Sequence, residues 1–162
     1  MTCVRLRPAT RHDREDVSAV VAGLSAESAY QRFLTGIGAR PSRALIDAML
    51  PEDDRGAALL GHLGERPVAH GLWARLGQSR SAEIALMVAD DQQRAGIGTR
   101  LAEALFADLR SHGVERVEVY TGAGNVAIAR MLARLAPHAR PERDGAAVHY
   151  SFDVDAVAAS AA

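Results

Sequence analysis

The sequence predicts a single mixed α/β domain with a central, largely antiparallel sheet flanked by helices, and three observations carry that prediction. Residues 57–63 and 67–76 are apolar runs joined by Gly64-Glu65-Arg66. After the turn at 77–80 a third run follows, so three successive strands form an antiparallel meander. In the third run Ala82, Ile84, Leu86 and Val88 alternate with Glu83, Ala85 and Met87, the period of a strand. A glycine-containing turn then leads into a helix with an apolar stripe of Leu101, Leu105, Phe106 and Leu109.

Taken in order, the chain begins with a strand over 3–7 that carries Val4 and Leu6 and is ended by Pro8. Thr10, with Asp13 three residues later, caps a helix from Arg11 whose core face is Val17, Val20, Val21 and Leu24, and Gly23 marks its end. A second helix starts at Ser25 and runs through Tyr30 and Phe33 to Leu34, where Gly36-Ile37-Gly38 breaks it. Pro41 opens a third, with Leu45, Ile46 and Leu50 on one side, and Pro51 closes it. After the meander and the long helix, Gly113 precedes a strand over 117–120. Asn125 caps a helix that reaches Leu135 and stops at Pro137, and 148–152 form a last strand. The alanine-rich tail from Asp155 is expected to fray.

Composition narrows the function. A chain of 162 residues, 48% apolar and 24% charged, suits one globular domain that buries roughly 70% of its unfolded surface. A net charge of −1, with three Tyr, three Phe and one Trp for base stacking, argues against a nucleic-acid partner. No apolar run approaches the ~18 residues of a membrane span, and the N-terminus lacks a signal-peptide core, so the expected location is the cytoplasm and no membrane partner is expected. Cys3 is the lone cysteine and the six histidines lack ligand spacing, so no metal is expected. All 19 basic residues are Arg. That fits the codon bias of a GC-rich genome better than avoidance of self-modification by an enzyme acting on lysines.

The turn Gln93-Arg94-Ala95-Gly96-Ile97-Gly98 admits two readings. A helix start offers unpaired N–H groups and a partial positive charge to an anion, Gly96 and Gly98 clear the approach, and Arg94 adds a full charge. Equally, the glycines can simply relieve strain in a strand-to-helix turn. A P-loop is excluded because the chain has no lysine, and the dinucleotide fingerprint fails at Leu101.

The same residues resemble motif A of the GCN5-related N-acetyltransferases (the GNAT superfamily), Gln/Arg-x-x-Gly-x-Gly/Ala after a strand. The resemblance extends over most of the chain and implies a GNAT-like domain over residues 1–154, followed by the tail. Leu24-Ser25-x-Glu27-Ser28 with Arg32-Phe33, and Ala82-Glu83-Ile84-Ala85, are similar to the bacterial Pat-like protein lysine acetyltransferases. The resemblance implies acetyl-CoA as cosubstrate, held by Met87, Val88, Gln93, Arg94, Ala95, Gly96, Ile97, Gly98, Thr99 and Asn125. It also implies a backbone N–H at or beside Val88 polarising the thioester carbonyl.

Glu83 is the expected base. A carboxylate attracts a protonated amine and accepts its proton, and the resemblance puts the catalytic Glu at this position. Five residues separate it from Val88, roughly 16 Å along a strand, so the proton is expected to travel through water. Tyr30 and Arg32 are expected on the substrate side. Their plainer readings are an aromatic packed on its helix and a solvated Arg. For Asn125 the alternative is an N-cap alone. Leu132 stands where the superfamily's usual thiolate acid, a Tyr, is found, as in Pat-like proteins, and Ala136-Pro137 replaces the usual Gly-Phe. The expected partner is a protein with an accessible lysine, whose amine attacks the thioester directly, with the enzyme a monomer or homodimer. The rivals are an N-acetyltransferase of a small amine and a non-catalytic acyl-CoA-binding or partner-binding module. No appended nucleotide-binding or ligase-like domain is expected.

Overall fold

The computed structural model describes residues 3–34 and 40–157. Seven strands form one sheet in the order β1-β2-β3-β4-β5-β7-β6. They are β1 (Arg5–Ala9), β2 (Gly56–Leu63), β3 (Arg66–Arg75), β4 (Ser81–Val88), β5 (Arg116–Gly122), β6 (Arg140–Asp144) and β7 (Ala147–Asp153). Every neighbouring pair is antiparallel except β4 and β5, which are parallel. The helices are α1 (Arg14–Ala22), α2 (Ala26–Phe33), α3 (Arg43–Ala48), α4 (Ile97–Ser111) and α5 (Val126–Leu135). The expected meander is β2-β3-β4.

Helices cover both faces of the sheet, which explains why β4 is apolar on both sides. Ala82 and Ile84 pack with Leu101, Leu105, Phe106 and Leu109 of α4 and with Ile128 and Leu132 of α5. Ala85 and Met87 pack with Val17, Val20 and Val21 of α1 and with Ile46 of α3. Each such aliphatic side chain taken out of water contributes about 1.5–3 kcal/mol. Fully buried Trp73 satisfies its one donor by bonding Asp108 Oδ2 at 2.7 Å.

Several boundaries differ from expectation. Pro8 lies inside β1, where it is tolerated because β1 is an edge strand paired only to β2. Thr10 and Asp13 do form a capping box, but on a 3-10 turn at Arg11–Asp13, with α1 following it. Ser42, not Pro41, caps α3, its hydroxyl accepting from the Leu45 N–H at 3.1 Å. The strand β6 was not anticipated: all five of its residues are exposed, so it carries no apolar period. Gly36-Ile37-Gly38 and residues 158–162 lie outside the described residues, while Val154–Ala156 form a further 3-10 turn.

Candidate functional site

The site begins where a ladder stops. β4 and β5 pair over only three rungs, Ser81–Arg116, Ala82–Val117 and Glu83–Glu118. Beyond Glu83 the strands part and leave a cleft of about 430 Å³, including its open mouth, that passes through the sheet. Ile84, Ala85, Leu86, Val119, Tyr120 and Thr121 edge it. Arg32 of α2 closes in from one face, and Ala102, Phe106, Ile128, Met131 and Leu132 of α4 and α5 from the other.

The pairing with β3 fixes which backbone groups meet this opening. Ala89 N–H donates to the Val68 carbonyl at 2.8 Å, so Val88 and Ala69 are a non-hydrogen-bonded pair. The N–H and C=O of Val88 therefore turn away from β3, toward the gap. Gln93 Nε2 donates to the Val88 carbonyl at 3.0 Å and leaves the N–H facing the opening. Met87 stays out of the opening, because its side chain is buried with Ala85 on the α1 face and its N–H and C=O turn to His70 of β3 in the adjacent hydrogen-bonded pair.

The turn after β4 is built around two left-handed residues, Arg94 (φ 65°) and Gly96 (φ 79°). No side chain caps the start of α4 and no acidic residue lies in its first turn, so its N–H groups and positive end are open to an anion. Ala95 is exposed beside them, whereas the Ile97 side chain is buried in the core. Thr99 Oγ1 accepts from Arg134 at 3.1 Å. Gly96 has a backbone reason to be glycine. Gly98 has none: a Cβ there would sit 3.8 Å from Leu86 and 3.9 Å from Val88, ordinary contact distances. The room at Gly98 is thus not required by the protein's own packing.

Asn125 lines the cleft and caps α5 as well. Its Oδ1 accepts from the Ile128 N–H at 3.2 Å and its Nδ2 donates to Thr121 Oγ1 at 3.0 Å, which leaves one amide hydrogen to spare. Leu132 is buried in the cleft wall.

On the α2 face stands Glu83, half-buried at the last rung of the ladder. Burial pushes its carboxyl above the usual range, while the charge of Arg32, and that of His149 whenever its ring is protonated, pull it back in part. Arg32 is not the solvated residue expected of a surface helix. Its Nε is fully buried without a hydrogen-bond partner, its guanidinium carbon lies 4.7 Å from the Phe33 ring centroid, and burial lowers its pKa to about 10. The same charge, added to complete burial, drives His70 down to about 4. His70 Nε2 lies 2.8 Å from the Met49 carbonyl and must carry the hydrogen, because a carbonyl only accepts. Tyr30 is 44% exposed.

α2 is held over the gap by close backbone approach. A Cβ on Gly122 would lie 3.2 Å from the Gln31 Cα and 2.7 Å from its Cδ. Thr121 Oγ1 donates to the Gln31 carbonyl at 3.2 Å, and Asp90 Oδ1 accepts from the Ser25 N–H at 3.1 Å at the start of the helix. A group that the sequence did not single out lies across the sheet from Glu83. Glu118 bonds His149 and Ser151, and His149 stacks on Tyr120. The signal was absent because these partners come from strands about 30 residues apart, beyond the reach of any local spacing.

The acetyltransferase (GNAT) family model matches residues 23–136, a span that runs from the end of α1 through β4, the glycine turn, α4, β5 and α5. The chain belongs to the GNAT acetyltransferase family. It is a GNAT-type N-acetyltransferase domain, and members of this family use acetyl-CoA. Acetyltransferase Pat of Mycolicibacterium smegmatis is 31% identical over 135 residues, 80% of this chain; the chain spans 40% of that relative's length. The GNAT domain of S. lividans PAT superposes with a TM-score of 0.82 at 24% identity, over 93% of this chain and 90% of that one. At 13% identity the yncA acetyltransferase of Salmonella typhimurium, solved with acetyl-CoA, shares the fold with a TM-score of 0.71 over 96% of each chain. The similarity to Pat agrees with the resemblance drawn from residues 24–33 and 82–85. Among the described residues no helix is long and apolar enough to cross a membrane, and no three His, Cys, Asp or Glu side chains are grouped to hold a metal ion.

Proposed function

We propose that this domain transfers the acetyl group of acetyl-CoA to the side-chain amine of a lysine on another protein. The observation that carries the reading is the interrupted ladder. It turns the Val88 N–H into an opening with an uncapped helix start near one end and a half-buried carboxylate at the other.

In this reading the N–H groups of residues 96–99 and the Arg94 charge hold the pyrophosphate, with Gly98 giving it room. Gln93 acts indirectly, bracing the turn against the Val88 carbonyl, while Ala95 offers backbone only and Met87, its backbone paired with His70 of β3, only anchors the strand. Asn125 has one N–H left for the pantetheine arm. The Val88 N–H donates to the thioester oxygen as charge develops there. Glu83, held anionic in part by Arg32, takes a proton from the incoming ammonium through water, so that the neutral amine attacks the carbonyl carbon directly. A C–N bond forms as the C–S bond breaks, and the sulfur leaves as thiolate. No activated Ser or Cys stands in the cleft walls, which supports direct attack over a covalent enzyme intermediate. Arg32 serves Glu83 as a positioning charge, and Tyr30 stands exposed on the acceptor side. The similarity to Pat supports a protein acceptor over a small amine.

The test is calorimetry of acetyl-CoA binding, followed by transfer of labelled acetyl to poly-L-lysine, to spermidine and to the proteins of a cell extract. The chain has no lysine, so label on a side-chain amine reports an acceptor and not the enzyme. Transfer to protein lysines supports the reading. Transfer confined to spermidine moves the acceptor to a small amine, and binding without transfer makes the domain an acyl-CoA-binding module.

A further inference from the structure

Across the last rung of the parallel ladder Glu83 faces Glu118, which opposes Ser151, while Tyr120 opposes His149. Successive residues of a strand point to opposite faces, so Glu83, Glu118, Tyr120, His149 and Ser151 share one face of the sheet. Neighbouring strands stand about 4.8 Å apart, so this is a row of acid–base side chains leading from the base toward the sheet margin. From Glu118 to His149 the side-chain exposure rises from 14% to 26%.

The hydrogen bonds set the state of the row. Ser151 Oγ donates to Glu118 Oε1 at 3.1 Å, and His149 Nε2 bonds Glu118 Oε2. A carboxylate with both oxygens receiving donors is the acceptor-only form, so Nε2 carries a hydrogen and the neutral ring keeps Nδ1 as an acceptor. A histidine oriented by a carboxylate, with its other nitrogen free, is the arrangement of a general base. Tyr120 fixes the ring's place as well. Tyr120 is a residue of the cleft wall, and its ring stacks on the imidazole with centroids 4.3 Å apart and planes within 10°. The imidazole is thereby tied to the cleft wall.

We propose that His149, oriented by Glu118, is the proton outlet of this site, taking the acceptor's proton onward from Glu83 and releasing it to solvent. The inference rests on the acetyl-transfer reading above. An ammonium acceptor loses two protons in becoming an amide. The first passes through Glu83 to His149 Nδ1 and then to bulk water; the second leaves nitrogen after the C–N bond forms and ends on the CoA thiolate. Each turnover thus delivers one proton to solvent, and Glu83 is ready again only when it has been cleared. The charged and titratable groups on the face of His149 are Arg116, Glu118 and Tyr120 of β5, with Arg116 Nε 3.7 Å from Glu118 Oε1, Arg140 and Glu142 of β6, and Glu83 of β4 with Arg32 behind it.

The experiment compares wild type, Glu83→Gln, His149→Gln and His149→Ala, using acetyl-CoA with poly-L-lysine and with spermidine, with and without added imidazole. Gln keeps a donor for Glu118 but cannot carry a proton. His149→Gln is expected to lower kcat by about 10- to 100-fold with KM for acetyl-CoA and acceptor unchanged, a part of the effect of a full acid–base group. Imidazole is expected to restore His149→Ala toward wild type while leaving Glu83→Gln unaffected. Far-ultraviolet circular dichroism and thermal melting show that the variants are folded. The inference falls if His149→Gln keeps wild-type kcat, if it changes only the acceptor KM, or if imidazole leaves folded His149→Ala unrescued. In those cases an active wild type with a crippled Glu83→Gln leaves the acetyl-transfer reading standing. If wild type acetylates neither probe nor any protein of an extract, both readings fall.

Discussion

Gly98→Ala separates a ligand's demands from the protein's own. The added methyl would meet Leu86 and Val88 at 3.8 and 3.9 Å, so it neither clashes nor leaves a void. Gly98 is the second residue of α4 and lies outside the positive-φ set, so the substitution improves helix propensity by up to ~1 kcal/mol. For a chain of this size that raises Tm by about 2–4 °C. The same methyl stands at the open N-terminus of α4, where a pyrophosphate would rest on backbone N–H groups. Losing one charge-assisted hydrogen bond there costs about 1.5–3 kcal/mol, or ~10- to 100-fold in affinity. Stability and binding are therefore expected to move in opposite directions, read by melting of the free protein and by calorimetry with acetyl-CoA. An acetyl-CoA affinity within twofold of wild type would refute the placement of the ligand on this turn. A fall in both quantities would refute the claim that the protein has no packing need of its own for this glycine.

Glu83→Gln is expected to lower kcat by ~10²–10³ while calorimetry shows unchanged acetyl-CoA binding. Burial raises the Glu83 pKa, so the acid limb of the kcat/KM profile should lie above the ordinary carboxylate range; Arg32→Met, which removes a charge that lowers that pKa, should move the limb higher. A carboxyl with a raised folded-state pKa favours folding most when protonated, and this contribution is lost as pH rises through that pKa. Accordingly Glu83→Gln should melt higher than wild type at neutral pH and approach it in acid. The reverse sign holds for His70. Its pKa falls from 6.5 to about 4 on folding, so its contribution is present above 6.5 and lost as pH falls toward 4, up to about 3 kcal/mol. A urea titration series from pH 7 to 4 should show this slope in wild type and not in His70→Gln. Gly122→Ala should expel the Gln31 amide from its place against β5, because the new Cβ overlaps that side chain and presses on its Cα at 3.2 Å, and should lower kcat modestly while the α4 turn still binds acetyl-CoA.

What the sequence revealed followed from local period and local chemistry. The meander was readable because β2, β3 and β4 alternate and are separated by short turns, and α4 because its stripe keeps the helical period. β6 was hidden because none of its side chains enters the core, and β1 was cut short because Pro8 reads as a stop until the strand is known to be an edge. The glycine turn and Glu83 could be picked out through a motif. Arg32 could not be judged, since α2 has no fully buried residue and its Arg is enclosed by β5 and the cleft rather than by its own helix. The Glu118–His149 pair was out of reach for another reason. It exists only because β5 and β7 lie side by side, and no spacing within either segment encodes that register.

The cleft also explains why three separate rules of stable folding are left unmet in one place. β4 has eight residues and β5 seven, yet they share three rungs, and the N–H of Val88 forgoes a ladder that the strand lengths would allow. α4 starts on an open turn without a side-chain cap, whereas Ser25, Ser42 and Asn125 cap α2, α3 and α5 and the uncapped α1 continues directly from the Thr10-capped 3-10 turn. Arg32 keeps a buried Nε without a partner. An unmade polar contact of this kind costs about 1–3 kcal/mol when buried, and a missing cap about 1 kcal/mol. Selection for stability alone would remove each of them with a single substitution or a longer strand pairing. Sequences depart from local consistency where function needs it, and these departures meet around one opening. An anion at the helix start and an acyl oxygen at the strand end would satisfy the first two, while a carboxylate across the gap supplies the counter-charge for the third. The unmet bonds of the free protein thus outline the molecule it is built to hold.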